Sequence, residues 1–164
     1  MNRAIKSAIT LSIVALALCA APPSGRVEIM NANSGLCLSP AGGGRDNNGQ
    51  IVQYTCDHDP SRFWSFTVID NDIVEITNLN SGLCITVAGG ATANNTPAVQ
   101  YTCDSHPSRR WRYTVVDATT FRLVNVNSGL CLTVAGGGTG NNVTAVQYPC
   151  DGHRSRDWKL GPGR

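Results

Sequence analysis

The sequence carries little charge: 13 basic and 11 acidic side chains in 164 residues, a formal net of +2. No basic run with interleaved aromatics occurs, which removes the electrostatic footprint of nucleic-acid binding. Beyond the N-terminal leader, no window repeats apolar side chains every 3.6 residues, so neither core helices nor a membrane-surface amphipathic helix is expected. The paired CxxC spacing of a zinc knuckle is missing, so no metal site is expected. A nucleophile elbow of the G-x-S-x-G kind is missing too. His58 stands out of step with His106 and His153. Ser, His and Asp do occur together near several cysteines, in loops where these residue types are common. The chain is therefore read as non-catalytic and without a cofactor.

The first residues form a separate unit. Arg3 and Lys6 precede an uncharged apolar run from Ala8 to Leu18, and small residues follow at Ala20 and Ala21. A positive start, an apolar stretch and a small-residue cleavage zone describe a secretory signal peptide, assigned to residues 1–21. The run is shorter than the ~20 apolar residues that span a bilayer, so no membrane span is expected. Cys19 follows bulky Leu18, where a lipidation signal would place a small residue. Residues 22–25 (Pro-Pro-Ser-Gly) make a flexible lead-in, and the protein is expected to be secreted, extracellular or periplasmic.

What remains is organised by repetition. Asn33-Ser34-Gly35-Leu36-Cys37, then Val52-Gln53-Tyr54-Thr55-Cys56-Asp57, then Ser61-Arg62-Phe63-Trp64 recur without a gap 47 residues later, and again after a further 47. Such a period marks a repeat architecture. The units run approximately over 26–72, 73–119 and 120–164. Each has two cysteines 19 apart, six in all once Cys19 in the leader is set aside. An even count in an exported chain implies disulfides, and six cysteines allow 15 pairings. Threefold repetition favours the set within repeats: Cys37–Cys56, Cys84–Cys103 and Cys131–Cys150.

Val27 and Ile29, with Val74, Ile76, Phe121 and Leu123 at matching positions, alternate with polar residues and read as strands with one buried face. Asn33-Ser34-Gly35 is a turn, Leu36 to Leu38 a second strand, and the Gly- and Asn-rich segment from Ala41 to Gly49 a loop. Ile51 to Tyr54 and Phe63 to Ile69 supply two more strands. Each unit is too small to bury its own apolar face, and an open solenoid would need capping repeats that these near-identical copies do not provide. Closure removes exposed edges, with the strand near Val27 meeting the last strand at Trp158. The expected fold is all-β: a β-trefoil of about twelve short strands with pseudo-threefold symmetry.

The unit resembles the ricin B-type lectin repeat, a carbohydrate-binding module found alone or attached to toxins and glycoside hydrolases. Ser-Gly-Leu-Cys-Leu, the Ala-Gly-Gly loop, the Val-Gln-aromatic strand and the closing x-x-x-Trp carry the likeness in all three copies. The departures fall on positions that contact sugar in that family. Its aspartate two residues after the first cysteine is Ser39, Thr86 and Thr133 here. Its Asn-Gln-x-Trp closes as Ser61-Arg62, Ser108-Arg109 and Ser155-Arg156, and the Val-Gln pair sits one residue closer to the second cysteine. Tyr54, Tyr101 and Tyr148 occupy the place of the family's stacking aromatic.

Asp57, Asp104 and Asp151 stand five residues before those arginines, either as a salt bridge in each lobe or as a replacement carboxylate at the rim of a sugar pocket. The tyrosines read equally as stacking platforms or as half-buried strand residues. Trp64, Trp111 and Trp158 read as core, and the Asn pairs at 47–48, 94–95 and 141–142 as loop formers first and ligand contacts second. The resemblance implies a monomeric lectin with up to three shallow sites. Galactose-type sugars are candidate ligands, and the arginine forks add acidic sugars, because a guanidinium binds carboxylates bidentately. The alternative is a trefoil that has lost sugar binding and presents its loops to a protein partner. The leader assignment predicts that exported protein begins between Ala20 and Pro22 on N-terminal sequencing; a start at Met1 would contradict it.

Overall fold

The computed structural model describes residues 21–161. Apart from Ala21, the expected signal peptide lies outside the described residues, as do residues 162–164. The first unit contributes β1 (Val27–Asn31), β2 (Cys37–Pro40), β3 (Ile51–Tyr54) and β4 (Phe63–Asp70). The second gives β5 (Ile73–Asn78), β6 (Cys84–Val87), β7 (Ala98–Tyr101) and β8 (Arg110–Val115). The third gives β9 (Phe121–Asn125), β10 (Cys131–Val134), β11 (Ala145–Tyr148) and β12 (Trp158–Leu160).

Six of these close a barrel. β1 pairs with β4 and β12, β5 with β4 and β8, and β9 with β8 and β12, all antiparallel. The meeting of first and last strands, Ile29 opposite Leu160 and Asn31 opposite Trp158, leaves the barrel without a free edge. The other six form the hairpins β2–β3, β6–β7 and β10–β11. This is the β-trefoil that the repeats lead one to expect.

The alternation read from the sequence becomes the core. Val27, Ile29, Val74, Ile76, Phe121 and Leu123 are all buried. Trp64, Trp111 and Trp158 are fully buried, and each indole N–H donates to a hairpin carbonyl, of Leu38, Ile85 and Leu132, at 2.9–3.0 Å. One side chain thus fills the barrel and ties it to its hairpin, with the polar tip satisfied. The three disulfides form within repeats as expected, with Cα–Cα distances of 5.1, 5.2 and 5.2 Å.

Two amides per repeat hold the units in register. Asn78 is buried: its Nδ2 donates to the Ser61 carbonyl at 2.8 Å, and its Oδ1 accepts the N–H groups of Asn80 and Ser81 at 3.1 and 3.2 Å. Asn31 and Asn125 do the same in their own turns. These turns close on Gly35, Gly82 and Gly129 at φ of 72–74°, where a side chain would be strained.

The second amide is the Gln of the Val-Gln-Tyr strand, which reaches into the preceding unit around the ring. Gln100 Nε2 donates to the carbonyls of Gly44 and Asp46, Gln147 to those of Ala91 and Ala93, and Gln53 to those of Gly138 and Gly140. The segment read as plain loop from Ala41 contains a single 3-10 turn at Ala41–Gly43, with Gly42 at φ 60°. Equivalent turns lie at Ala88–Gly90 and Ala135–Gly137. The sequence signal for them was masked by glycine, which supplies the two positive-φ residues in each turn.

Asn78→Ala would strand two backbone donors and one carbonyl acceptor. A loss of about 2–3 kcal/mol in unfolding free energy is expected, measured by urea denaturation; a change within about 0.5 kcal/mol, as at an ordinary surface site, would contradict the role assigned to this amide.

Candidate functional site

Each repeat encloses a shallow cavity between its Ala-Gly-Gly turn, its Val-Gln-Tyr strand and the turn that leads into the core Trp. The volumes are about 420 Å³ in the first and second repeats and about 400 Å³ in the third. The five positions singled out in each repeat converge there. Ser39, Tyr54, Asp57, Ser61 and Arg62 line the first. Thr86, Tyr101, Asp104 and Arg109 line the second, and Thr133, Tyr148, Asp151 and Arg156 the third. Ser108 and Ser155 are buried directly behind these two arginines, bonded to them.

The arginine is the centre of the arrangement. A short 3-10 turn, Pro60–Arg62 in the first repeat, delivers it inward, with Arg62, Arg109 and Arg156 only 8–9% exposed. Burying a charge is costly unless it is paired and hydrogen-bonded. Arg62 meets both conditions: Nε donates to the Thr55 carbonyl at 3.2 Å, Nη1 to Ser39 Oγ and Ser61 Oγ at 2.7 Å each, and Nη2 to Asp57 Oδ2 at 3.2 Å. Arg109 Nε lies 2.9 Å from Asp104 Oδ1, and Arg156 grips Asp151 through Nε and Nη2, both at 3.0 Å. Each guanidinium also lies over the neighbouring tyrosine ring, with Cζ 4.7, 4.7 and 5.0 Å from the centroids of Tyr54, Tyr101 and Tyr148. A contact of this kind adds roughly 0.5–1 kcal/mol.

The two readings of the aspartate therefore coincide in space. It forms a salt bridge, and it does so at the rim, exposed on its outer side. The tyrosines are half-buried, each with one side against a guanidinium and the ring in the cavity wall. Ser39, Thr86 and Thr133 are buried in the floor, where the hydroxyls of Thr86 and Thr133 donate to the carbonyls of Ser108 and Ser155 at 3.0 and 3.1 Å.

Two further sets of lining residues stand outside the five positions singled out in each repeat. Asp59, His106 and His153 share one position, 47 residues apart, and cap the turns before the arginines. Comparison by offset rather than residue type would have found them. Asn142, Asn48 and Asn95 line the first, second and third cavities, each coming from the preceding unit around the ring. All three adopt positive φ, so the loop-forming role expected of them holds, and it sets them beside the neighbour's cavity.

His106 Nδ1 lies 2.8 Å from Ser108 Oγ, and His153 Nδ1 2.9 Å from Ser155 Oγ. These pairs have the members of a hydrolytic triad in another order. The serines are fully buried and accept from arginine, and Asp104 and Asp151 accept the histidine backbone N–H rather than a ring proton. Among the described residues no three acidic, histidine or cysteine side chains converge as a metal site, and no helix is long and apolar enough to cross a membrane.

The comparisons agree with this architecture. The family described as "Ricin-type beta-trefoil lectin domain" matches residues 25–158. Among solved structures, the designed threefold-symmetric protein ThreeFoil is similar at TM-score 0.82 and 19% identity, over 84% of this chain and 99% of that one. An exo-beta-1,3-galactanase from Clostridium thermocellum matches at TM-score 0.81 and 25% identity, over 85% of this chain and 30% of the enzyme. The ricin B-like lectin of Macrolepiota procera, in complex with lactose, matches at TM-score 0.71 and 14% identity, over 87% of this chain and 99% of the lectin. No curated protein matches the chain.

The caps make the first and third cavities acid-sensitive. The hydroxyl and backbone N–H of Ser61 hold the Asp59 carboxyl below its ordinary value of 3.8. The His153 backbone N–H, foremost, does the same for Asp151. A depressed carboxylate contributes stability that is complete above its unfolded pKa and is lost as pH falls through the folded one. The thermal midpoint should therefore fall as pH drops below about 4, and Asp59→Asn should flatten that decline; an unchanged acid profile in the variant would contradict the assignment.

Proposed function

The chain belongs to the ricin-type β-trefoil lectin domain family, and from that premise we propose that it is a non-catalytic carbohydrate-binding module with one shallow sugar site per repeat. The observation that carries the proposal is recurrence. The same tyrosine, guanidinium, carboxylate and Gly-Gly turn surround a cavity of the same size three times. Cavities of a few hundred Å³ with a small set of convergent polar groups suit small ligands.

In each site the tyrosine offers a ring surface to sugar C–H groups, while the aspartate oxygens at the rim accept from hydroxyls. The neighbour's asparagine, on the opposite wall, both donates and accepts. With its arginine engaged by the aspartate and the cavity open to solvent, single-site affinity is weak. Three sites on one rigid ring raise the effective concentration, and overall avidity with it. The lactose of the Macrolepiota lectin complex and the galactan named in the Clostridium enzyme make galactose-type sugars the first ligands to try. The three disulfides suit an oxidising compartment, in keeping with export by the N-terminal leader.

A glycan array probed with the mature protein and with the triple variant Tyr54→Ala, Tyr101→Ala, Tyr148→Ala tests the reading. Binding by the native chain should fall at least tenfold in the variant, with near-ultraviolet dichroism confirming that the variant is folded. Silence of the native chain across neutral and acidic glycans would overturn the sugar-binding reading and favour a protein partner.

A further inference from the structure

The three cavities differ at one functional position. Where the first repeat has Asp59, the second and third have His106 and His153. All three residues do the same structural work. Asp59 Oδ1 accepts the Ser61 N–H at 2.9 Å and its hydroxyl at 2.7 Å. His106 Nδ1 accepts the Ser108 N–H at 3.2 Å, and His153 Nδ1 the Ser155 N–H at 3.2 Å.

Shared capping leaves opposite chemistry at the atom that is left over. A ring nitrogen that accepts a backbone N–H carries no proton, so the neutral imidazole bears its proton on Nε2 and is a donor there. A carboxylate that caps through Oδ1 leaves Oδ2 as a charged acceptor. The imidazoles are also closely seated. A Cβ on Gly90 would come 3.2 Å from His106 Cε1, and one on Gly137 3.0 Å from His153 Cε1, so the bare Gly-Gly turn is what admits the ring. Both rings line their cavities, as Asp59 lines its own.

The balance of charge follows. In the first cavity Arg62 faces two carboxylates, Asp57 and Asp59. In the others Arg109 faces only Asp104, and Arg156 only Asp151, with an imidazole in place of the second carboxylate. Asn142, Asn48 and Asn95 add no charge from the opposite wall.

We infer that the sites divide by ligand charge: the second and third accept a sugar bearing a carboxylate, such as a uronic acid, and the first accepts neutral sugars only. This rests on the sugar-binding reading above. A ligand carboxylate meets a ring N–H donor beside a guanidinium in two sites, a favourable charge-assisted arrangement. In the first it meets the Asp59 carboxylate, a repulsive element of the kind that sets specificity.

D-galactose and D-galacturonic acid differ only at C6, hydroxymethyl against carboxylate, and so isolate this term. Each is titrated at neutral pH and constant ionic strength into the ¹⁵N-labelled mature protein. The capped amides of Ser61, Ser108 and Ser155 report the three sites separately. Galactose should shift all three amides, whereas galacturonate should shift Ser108 and Ser155 with at least tenfold weaker binding at Ser61. Asp59→His should bring galacturonate binding at Ser61 up to the level of the other two, which serve as internal controls for folding. His106→Asp should remove the galacturonate response at Ser108 while that at Ser155 persists. Equal galacturonate binding at all three sites, galacturonate binding at none while galactose binds, or no gain in Asp59→His would overturn the division by charge alone. A native chain that responds to neither sugar would instead count against the sugar-binding reading on which it rests.

Discussion

A guanidinium buried in each repeat sets the terms for everything around it. Arg62, Arg109 and Arg156 lie almost wholly out of water, where an unpaired charge would cost several kcal/mol. The surroundings are what that constraint demands. An aspartate follows the second cysteine, a serine precedes the arginine, a hydroxyl residue lies in the floor, and a carbonyl before the disulfide takes the Nε–H or lies beside it. The tyrosine ring covers the remaining face. Removing the aspartate or the serine before the arginine leaves the same charge short of a partner.

The same coupling explains why hydroxyl residues stand in the floor of all three cavities. A carboxylate in the floor, two residues after the first cysteine, would compete with the aspartate at the rim for one guanidinium. Serine or threonine there donates to a carbonyl or accepts from the arginine without adding charge. The carboxylate stands at the rim, exposed on its outer side, and the arginine lies in the interior. Each cavity is thus built around an ion pair.

The ring of three also makes each site a product of two repeats. The glutamine of each Val-Gln-Tyr strand binds the loop of the preceding unit, and the asparagine on that loop reaches the cavity wall. The architecture and the threefold set of cavities thus have one origin: a unit that cannot bury its own face must share a core with two copies, and the cavities lie at the seams between copies.

Much of this was legible in the sequence because a constant 47-residue offset turns one chain into three aligned copies. The offset places Cys37 with Cys56 in one unit, marks Trp64, Trp111 and Trp158 as a common core layer, and brings the first strand to the last by closure. What the offset did not reveal depends on direction in space. Ser39, Thr86 and Thr133 are buried in the floors of the cavities, on strands β2, β6 and β10 whose residues are all buried. Asn48 serves the second repeat rather than its own, because strand pairing around the ring decides which loop meets which cavity. The position shared by Asp59, His106 and His153 went unremarked because its role is a backbone cap, for which a carboxylate and an imidazole are interchangeable.

The most direct test of the central claim is a crystal structure of the mature protein with a sugar that it binds. The account predicts sugar rings in the cavities beside Tyr54, Tyr101 or Tyr148, within hydrogen-bond reach of the rim aspartate or the capping residue. A sugar bound elsewhere, such as near Val68 and Val115 on β4 and β8, with all three cavities empty, would contradict it.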